Sequence, residues 1–495
     1  LHKRRRSIRS HAVARAFRER EKPKEMLPLR VSKRVRYLTR KFMASNSHQN
    51  VTTTTRKENN AKRKTTTTRT TTTTTRELNE ANRGELLRDY LRRCLYDKST
   101  GYFNQNGQSP IGKIGVDSGE ASLPFHLMAD KEEYTETLAQ KWTQLGKQWL
   151  TPVEIFKPHY ANAIARYLIE ETKKNHTASL KVIELGGGAG TAAVGILNYL
   201  RANEPQIYES MKYCSVDVSE VSLSMQHDAI LKAKHENVWR RTRKPVDVTM
   251  QKCKNTEESW REIVQKHMDG STENCFVLGF EILDNLVHDK VIMSVKTGDW
   301  MQARVKRERE GKDRVEFYEP ITDEEIKRVL DKVVEVRKSL PIWTHLSDAV
   351  KRMFKKRDVS STADLTRNQT IYLPTGCSFA LQNLREFVPG HRLVFADFDA
   401  LPEAKMDGLN APVVASQGTG GKTYDRNSYL EGVVGSSDVF FPTCFDTLKL
   451  LNENKGIHLT TKEFMEKYSE RGACETKTGY NPLHNDFSNT RFYLS

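Results

Sequence analysis

The sequence predicts an α/β fold built on a doubly wound, mainly parallel sheet, with an inserted β and helical section and a disordered basic arm in front. Three observations support this fold class. Between residue 181 and about residue 283, short apolar runs typical of buried strands alternate with stretches typical of helices. Such alternation favours a parallel sheet covered by helices. A glycine-rich turn joins the first of these strands to the next helix, and nearly all the net positive charge lies in residues 1–76.

The arm, residues 1–76, is basic and of low complexity. It contains 23 Lys and Arg residues but only four Asp and Glu, whereas the rest of the chain has 57 basic and 59 acidic residues. Arginine-rich sequence fills residues 1–42, and threonine runs broken by Lys and Arg fill residues 43–76. Because such sequence cannot bury enough apolar surface to offset the entropy of ordering, we expect the arm to be disordered. The net charge of +17 therefore belongs to the arm and not to the nearly neutral body.

Three hypotheses for the arm stay open. Its first twenty residues are rich in arginine and poor in acids, as mitochondrial transit segments are. Residues 20–76 could instead contact RNA or a ribonucleoprotein, with affinity gained by neutralising phosphates. The third hypothesis is a solvated linker.

Cysteine usage and hydropathy restrict the class of protein further. The seven cysteines form no C-x-x-C pair, which argues against a disulfide framework and against structural zinc, so we predict no metal site. Several cysteines lie in apolar runs and are expected to be buried thiols in a reducing compartment. No apolar run is long enough to span a bilayer. A mitochondrial matrix protein or a cytosolic one fits these observations.

A cap section over residues 77–180 is predicted to precede the sheet. It includes the helix-like sequence ELLRDYLRRCLY and a helix over residues 159–171, whose apolar residues recur near i, i+3, i+4 and i+7. The first half of the core is then predicted over residues 181–289. Its first strand contains Val182 and Ile183 and reaches the acidic residue Glu184.

The turn after this strand carries glycines at alternate positions, Gly186, Gly188 and Gly190, and a helix is expected to begin at Thr191. Glycine lets the backbone approach a ligand closely because it has no Cβ, and a helix N-terminus adds oriented N–H groups. Dinucleotide sites usually show G-x-G-x-x-G instead. The G-x-G-x-G spacing, with an acid two residues before the first glycine, resembles motif I of class I S-adenosylmethionine (SAM) methyltransferases. An ordinary glycine-rich turn is the alternative interpretation.

Asp217 is a second candidate for cofactor binding. It lies near the end of the predicted strand Tyr213–Val218, a little under 30 residues after the last glycine. An acid at that place in a doubly wound sheet can accept hydrogen bonds from a ribose diol. The alternative is that Asp217 caps the next helix, but Ser219 is the better N-cap, which would leave Asp217 freer for a ligand.

Polar side chains follow the third predicted strand, Phe276–Phe280. They are Glu281, Asp284, Asn285, His288 and Asp289. Ligands bind at the carboxyl ends of strands in such sheets, so this cluster could hold a cationic or hydrogen-bonding substrate group and orient a nucleophilic nitrogen. The alternative is a capped helix start at which only one or two of these residues matter.

The remaining sequence divides into an insertion, residues 290–375, and the second half of the core, residues 376–495. Three β-like stretches over residues 290–320 predict antiparallel ribbons, and a helical section is expected over residues 322–356. The core returns as a helix at Phe379–Phe387 and a strand at Arg392–Phe398. Residues 416–423, SQGTGGKT, resemble a phosphate loop, but Ser416 replaces its first glycine and no buried strand is expected before it, so we expect a flexible loop.

Taken together, these blocks resemble the MidA-type SAM-dependent methyltransferases over roughly residues 86–450. The resemblance is carried by the segments TPVEIFKPHYANAIARYL (151–168), ELGGGAGT (184–191), FEILDNLVHD (280–289), HRLVFADFDALP (391–402), NAPVV (410–414) and DVFFPTCFDTL (438–448), and by Gly101-Tyr102-Phe103 with the sequence before it. A mitochondrial member of this family is a protein-arginine methyltransferase that assists assembly of respiratory complex I.

The resemblance implies a class I SAM-methyltransferase fold, SAM as cofactor, a protein arginine as acceptor and a mitochondrial location. In that family the glycines pack under the methionine part of SAM and the acid of the motif faces its amino group. Glu184, Gly186, Gly188, Gly190 and Asp217 are then cofactor-binding residues. Glu281 and Asp284 would hold a guanidinium. Asn285 is a further candidate catalytic residue, and His288 would either take the proton or cap a helix.

One departure from the family motivates a second hypothesis of function. Where the family carries a G-D-F-x-T-S-P-E stretch, this chain has IGKIGVDSGEASLPF over residues 111–125. With a changed lid and a basic arm, the protein could be a non-catalytic or weakly catalytic assembly factor on a multiprotein or ribonucleoprotein complex such as the mitochondrial ribosome. A third hypothesis is methylation of RNA, which the lack of an N-P-P-Y-type motif after residue 283 disfavours.

Overall fold

The computed structural model describes residues 84–107, 109–114, 123–146, 148–174, 179–294, 297–307, 314–339, 370–401, 404–418, 422–431 and 434–495. The predicted arm lies outside these described residues, and so do residues 340–369 of the predicted insertion. Disorder of the arm and the three hypotheses for its role therefore stay predictions.

The strands and helices are numbered in chain order. The strands are β1 (Glu85–Leu86), β2 (Lys181–Leu185), β3 (Lys212–Val216), β4 (Trp239–Arg241), β5 (Cys275–Phe280), β6 (Asp289–Met293), β7 (Trp300–Arg307), β8 (Arg314–Pro320), β9 (Thr370–Leu373), β10 (Arg392–Phe398), β11 (Val413–Gln417), β12 (Thr423–Asp425), β13 (Asp438–Phe440), β14 (Ile457–Thr460) and β15 (Thr490–Leu494). The α-helices are α1 (Leu87–Tyr96), α2 (Lys131–Leu145), α3 (Pro152–Ile155), α4 (His159–Lys174), α5 (Thr191–Asn203), α6 (Pro205–Ser210), α7 (Glu220–Ala233), α8 (Lys254–Glu262), α9 (Glu324–Ser339), α10 (Thr375–Phe387), α11 (Phe445–Leu451), α12 (Thr461–Tyr468) and α13 (Pro482–Asn485). Short 3₁₀ helices lie at Tyr102–Gly107 and Phe125–Leu127, and a π-helical turn at Ile263–His267 extends α8.

The central sheet has seven strands in the order β14-β15-β10-β5-β2-β3-β4. Strands β4, β3, β2, β5 and β10 are parallel to one another, while β15 is antiparallel to both β10 and β14. The chain moves outward from β2 through β3 to β4 and then returns to the other side of β2 as β5. At such a switch point the loops after neighbouring strands diverge and leave a crevice at their carboxyl ends.

The core lies on both faces of this sheet. Alternate residues along a strand point to opposite faces, so Val182 belongs to one apolar cluster and Ile183 to the other. The first cluster takes most of its helical residues from α4, α5 and α12, and the second takes them from α8, α9, α10 and α11. Burial on both faces explains why these strands are almost continuously apolar. The predicted α/β class is confirmed, and α4, α5 and α10 form where helices were expected.

The predicted insertion contains an antiparallel sheet, as expected. Its order is β1-β7-β6-β9, with β8 paired to the other edge of β7. Helix α9 covers part of the predicted helical section. The two-residue strand β1 comes from the predicted cap section and pairs with β7, so cap and insertion share one sheet. The predicted domain boundaries stay predictions.

The expectation for residues 416–423 is wrong in two respects. Strand β11 does lead into this segment, with Val413, Val414 and Ala415 buried, and β12 pairs antiparallel with it. Ser416 and Gln417 therefore belong to β11 and Thr423 to β12, in a small three-stranded sheet of order β12-β11-β13, while residues 419–421 lie outside the described residues. A phosphate loop requires a helix after the loop, so its exclusion is unaffected.

A buried ion-pair network ties α1 to the insertion. Arg88 donates to Asp289 Oδ2 at 2.7 Å and to Asp323 Oδ1 at 3.0 Å, and Thr375 Oγ1 donates to the same Asp289 oxygen at 2.8 Å. The side chain of Asp289 is fully buried and that of Arg88 is 8% exposed. Because Asp289 is the last of the polar residues after β5, this network fixes one end of that polar segment.

Replacing Arg88 by methionine is expected to lower the free energy of unfolding by about 3 kcal/mol, because Asp289 would stay buried without a cation. Denaturant titration followed by circular dichroism measures this change. The matched control is Arg93→Met on the same helix, whose ion pair with Glu85 is largely exposed and which should cost about 1 kcal/mol or less. Equal losses for the two variants would contradict a special role for the buried pair.

Candidate active site at the carboxyl ends of β2, β5 and β10

The glycine-rich turn between β2 and α5 is closed on one side and open on the other. Gly186, Gly188 and Gly190 have φ values of 66°, 53° and 81°, a region that side-chain-bearing residues rarely adopt. A Cβ on Gly186 would lie 2.6 Å from Ile282 Cγ2, so the turns after β2 and β5 touch. Among the described residues, a Cβ on Gly188 would meet only Ile111 Cγ2, at 4.0 Å. These residues therefore leave an open cradle over Gly188 that a ligand can occupy.

Glu184 lies beneath this turn. It is 1% exposed and accepts a hydrogen bond from Ser215 Oγ at 3.1 Å, while Trp239 Nε1 donates to the same hydroxyl at 3.0 Å. A Cβ on Gly187 would lie 2.7 Å from Glu184 Oε2, so the carboxyl packs directly against the turn. Burial raises the pKa of Glu184 to about 7. The prediction that it faces the amino group of the cofactor stays a prediction.

Asp217 follows β3 at the same edge of the sheet. Ser219 caps α7 as predicted, because its side chain accepts from Ser222 N. The expectation that this cap leaves Asp217 free is wrong: Oδ1 of Asp217 accepts from Ser219 N at 2.9 Å and Oδ2 accepts from Gln226 Nε2 at 3.0 Å. Each carboxylate oxygen can accept more than one hydrogen bond, so a ribose contact still fits. Burial raises the pKa of Asp217 to about 6.

Glu154 was missed by the sequence reasoning, although it lies in the quoted segment 151–168. It is 1% exposed and accepts from Ile114 N at 2.5 Å, from Lys157 Nζ at 2.5 Å and from Thr191 Oγ1 at 2.6 Å. Because Thr191 is the first residue of α5, Glu154 connects the cap section to the glycine turn. The signal was the T-P-x-E pattern, since Thr151 caps α3 with Pro152 at its first position.

The segment that departs from the family is described only at its two ends. Ile111 pairs with Trp149 in an isolated bridge and Ile114 is anchored by Glu154, while residues 115–122 lie outside the described residues. The contacts of Ile111 and Ile114 bring the start of this segment beside the glycine turn.

Two carboxyls after β5 have buried oxygens that find no hydrogen-bond partner among the residues that the structure describes. They are Oε1 of Glu281 and Oδ1 of Asp284, and Asp284 is only 6% exposed. Glu281 has a φ of 53°, a strained conformation that persists only where the surroundings enforce it. Burial raises the pKa of both carboxyls well above their usual range, and the charges of Asp397 and Asp438 add to the shift of Asp284.

Asp397 is the second residue that sequence reasoning missed. It is the next-to-last residue of β10 and is 1% exposed. Its Oδ2 accepts from Leu283 N at 2.7 Å and Asp284 N at 3.3 Å, and its Oδ1 accepts from Phe398 N at 2.7 Å. These hydrogen bonds hold the turn that carries Glu281 and Asp284, so Asp397 positions the cluster and has little capacity left for a ligand.

Asn285 and His288 make contacts other than helix caps. Asn285 Nδ2 donates to Asp438 Oδ1 at 2.9 Å, and His288 stacks on Phe441 with ring centroids 3.9 Å apart. Burial lowers the pKa of His288 to about 4, so its ring is neutral near pH 7, with Nδ1 2.7 Å from the Leu286 carbonyl. The alternative of a capped helix start is wrong, because strand β6 follows the turn, and His288 caps no helix.

The cluster is therefore a set of buried carboxyls without a compensating cation in the described part of the chain. The interactions of Glu281 and Asp438 involve no lysine or arginine there. Among the described residues, no group of three His, Cys, Asp or Glu side chains is arranged to hold a metal ion, and no helix is long and apolar enough to cross a membrane. Buried carboxyls in this situation either carry protons or face a cationic ligand.

Comparisons with known proteins give a family and a distant relative. The model of a family described as "Putative S-adenosyl-L-methionine-dependent methyltransferase" matches residues 163–462. The chain is 21% identical over 397 residues to the NDUFAF7 homologue of Schizosaccharomyces pombe, a mitochondrial protein arginine methyltransferase; this match covers 77% of the chain and 79% of that protein.

Two solved structures, both of proteins from Burkholderia thailandensis in one superfamily, also resemble the chain. One was crystallised with S-adenosyl-homocysteine and superimposes with a TM-score of 0.48 at 13% identity, covering 83% of this chain and 88% of that one. The other superimposes with a TM-score of 0.47 at 11% identity, covering 83% and 87%.

Proposed function

Because the chain belongs to this family of SAM-dependent methyltransferases, which confirms the resemblance to the MidA type and SAM as its cofactor, we propose that it methylates a guanidinium nitrogen of arginine in a protein substrate in the mitochondrial matrix. The yeast relative, a mitochondrial protein arginine methyltransferase, supports the choice of acceptor and compartment. We further propose that the central sheet is that of class I methyltransferases, which the strand order around β2 supports.

One observation carries the acceptor assignment: Glu281 and Asp284 present buried, unpaired oxygens beside the turn that forms the glycine cradle. Ile282, which lies between these two acids, is the side chain that a Cβ on Gly186 would meet. A guanidinium presents several N–H donors in one plane and pairs with carboxylates at more than one point. It would supply both the donors and the positive charge that the cluster lacks.

The glycine turn and its neighbours fit the cofactor. Gly188 leaves the open surface over which the methionine part of SAM would lie, with Gly186 and Gly190 shaping the turn, while Glu184 and Asp217 would bind the amino group and the ribose. Gln226, which bonds Asp217, has a buried Oε1 without a partner among the described residues. When bound, SAM supplies a methyl group on a positively charged sulfur, open to attack by a nitrogen lone pair.

The chain's own residues would orient the acceptor and manage its proton. Glu281 and Asp284 would hold the guanidinium so that one nitrogen points towards the cradle, and catalysis would come mainly from this positioning and from exclusion of water. As that nitrogen is methylated it gives up a proton, and a carboxylate oxygen of Glu281 or Asp284 would receive it. His288 is a poor proton acceptor, since its depressed pKa makes it a weak base, and Asn285 would fix Asp438.

Product identity tests this proposal. The purified full chain is incubated with SAM labelled on its methyl group and a mitochondrial protein extract, and the labelled products are hydrolysed to amino acids. We expect methylarginine. Label in methyllysine alone, or in RNA present in the extract, would overturn the acceptor assignment, whereas SAM binding without any transfer would favour the non-catalytic assembly factor.

Methyl transfer to an arginine peptide is expected to increase as the pH rises above the range in which ordinary carboxyls titrate. The raised pKa of Glu281 and Asp284 leaves them neutral at low pH, and a neutral carboxyl attracts a guanidinium less than a carboxylate does. The arginine side chain keeps its charge as the pH rises, so only the enzyme titrates. Initial rates under subsaturating peptide measure the effect, and a rate that falls with pH would contradict it.

A further inference from the structure

Asp438 begins β13 in the small sheet, yet it lies beside the polar turn after β5. We propose that Asp438 is a third acceptor-binding carboxylate, which completes with Glu281 and Asp284 a pocket for a delocalised cation. This inference rests on the proposed function and adds to it a residue from a different sheet.

Four hydrogen bonds connect Asp438 and the residues that follow it to the turn after β5 and to the end of β10. Asn285 Nδ2 donates to Asp438 Oδ1 at 2.9 Å and to the Val439 carbonyl at 3.3 Å. Phe441 N donates to the Asp284 carbonyl at 2.8 Å, and Thr443 N donates to the Phe398 carbonyl at 2.8 Å. The carboxyl of Asp438 is thus held in a fixed position beside Asp284.

In the part of the chain that the structure describes, no lysine or arginine compensates the charge of Asp438. The side chain is 8% exposed, and its side-chain donor is the neutral amide of Asn285. Asp284 faces Asp438 from the turn after β5. Burial raises the pKa of Asp284, and the charge of Asp438 raises it further. Since Asp284 Oδ1 is also buried without a partner, the two acids border one position that a cation would occupy favourably.

Two tyrosines of the cap section lie close to the same position. Burial raises the pKa of Tyr96 and Tyr102, and the charge of Asp438 adds to the shift of both phenols. Tyr96 OH donates to the Asn285 carbonyl at 2.6 Å, and Tyr102 OH accepts from Trp149 Nε1 at 2.7 Å. Both hydroxyls are therefore oriented by the protein, and aromatic rings beside paired carboxylates favour a flat cation such as guanidinium.

Calorimetric titration of a short acetylated Gly-Arg-Gly amide into the full chain saturated with S-adenosylhomocysteine tests this inference. At about pH 8, Asp438→Asn is expected to weaken peptide binding by about tenfold or more, because a contact to a charged group is lost. The variant should also release fewer protons on binding, which buffers of different ionisation enthalpy reveal. Affinity for S-adenosylhomocysteine should be unchanged. The matched control is Asp425→Asn. Asp425 lies on the other side of β11 from Asp438, and both acids are paired with Ala415 of that strand.

The outcomes separate this inference from the proposed function. If wild type and Asp438→Asn bind the arginine peptide equally, the role of Asp438 is overturned and the proposed function stands. If a lysine peptide binds and the arginine peptide does not, both the arginine assignment and the pocket for a delocalised cation are overturned. If Asp438→Asn and the charge-conserving Asp438→Glu both lose S-adenosylhomocysteine, Asp438 serves the fold and the inference is overturned.

Discussion

Gly188→Val is expected to weaken SAM binding by at least about a hundredfold. Two physical effects act together. The backbone at this position has a φ of 53°, which a β-branched residue tolerates poorly. The valine side chain would also extend into the open cradle over the turn, where the neighbouring protein atom is Ile111 Cγ2 at 4.0 Å from the first added carbon. Calorimetric titration of the purified chain with SAM measures the loss.

The effect of backbone strain must be separated from the effect of filling the open cradle over Gly188. Gly390 provides the control, because it has a φ of 76° with no atom within 4 Å of an added Cβ and precedes β10, at the opposite end of that strand from Asp397. Gly390→Val should bear similar backbone strain and keep the affinity for SAM. If Gly188→Val bound SAM as tightly as wild type, the cofactor would lie elsewhere and the assignment of the glycine turn would be wrong.

The double variant Glu281→Gln, Asp284→Asn is expected to reduce kcat/KM for an arginine peptide by about a thousandfold while SAM still binds. Amides keep the shape of the two side chains but remove the negative charge that holds and orients the guanidinium. The pH dependence of the residual activity should be weaker as well, because two of the groups that titrate are gone. Radiometric assays with saturating SAM across the pH range measure both effects.

Unfolding cannot explain such a loss, because the change in stability has the opposite sign. A carboxyl whose pKa is raised by folding lowers the free energy of unfolding as pH rises from its unfolded pKa towards its folded pKa. The neutral amides escape this cost, so the double variant should be at least as stable as wild type at about pH 8. A control with two exposed acids replaced, Asp228→Asn and Glu236→Gln, should keep full activity. Full activity in the site variant would remove the basis of the acceptor assignment.

Local patterns were sufficient to predict the fold class and the place of the site. The strand, the turn with Gly186, Gly188 and Gly190, and the helix from Thr191 follow from residues adjacent in sequence, and so does the cap at Ser219. The carboxyl ends of parallel strands meet at one edge of a sheet, so the acids after β5 could be placed near the glycine turn without coordinates.

Such local patterns cannot predict contacts between segments that are distant in sequence. Asp397 supports Asp284 from 113 residues away, and Asp438 reaches Asn285 across 153 residues. The error for Asp217 has a related cause, since Gln226 reaches back from the middle of α7 to bond it. Burial decides the behaviour of these carboxyls, and burial depends on the whole fold and not on neighbouring residues in the chain.

A crystal structure of the full chain with S-adenosylhomocysteine and an arginine peptide would test the central claim most directly. The account predicts the cofactor sulfur over Gly188 and the guanidinium at about 3 Å from carboxylate oxygens of Glu281 and Asp284. A peptide bound with its arginine side chain in solvent, or a different side chain in contact with these two acids, would contradict it.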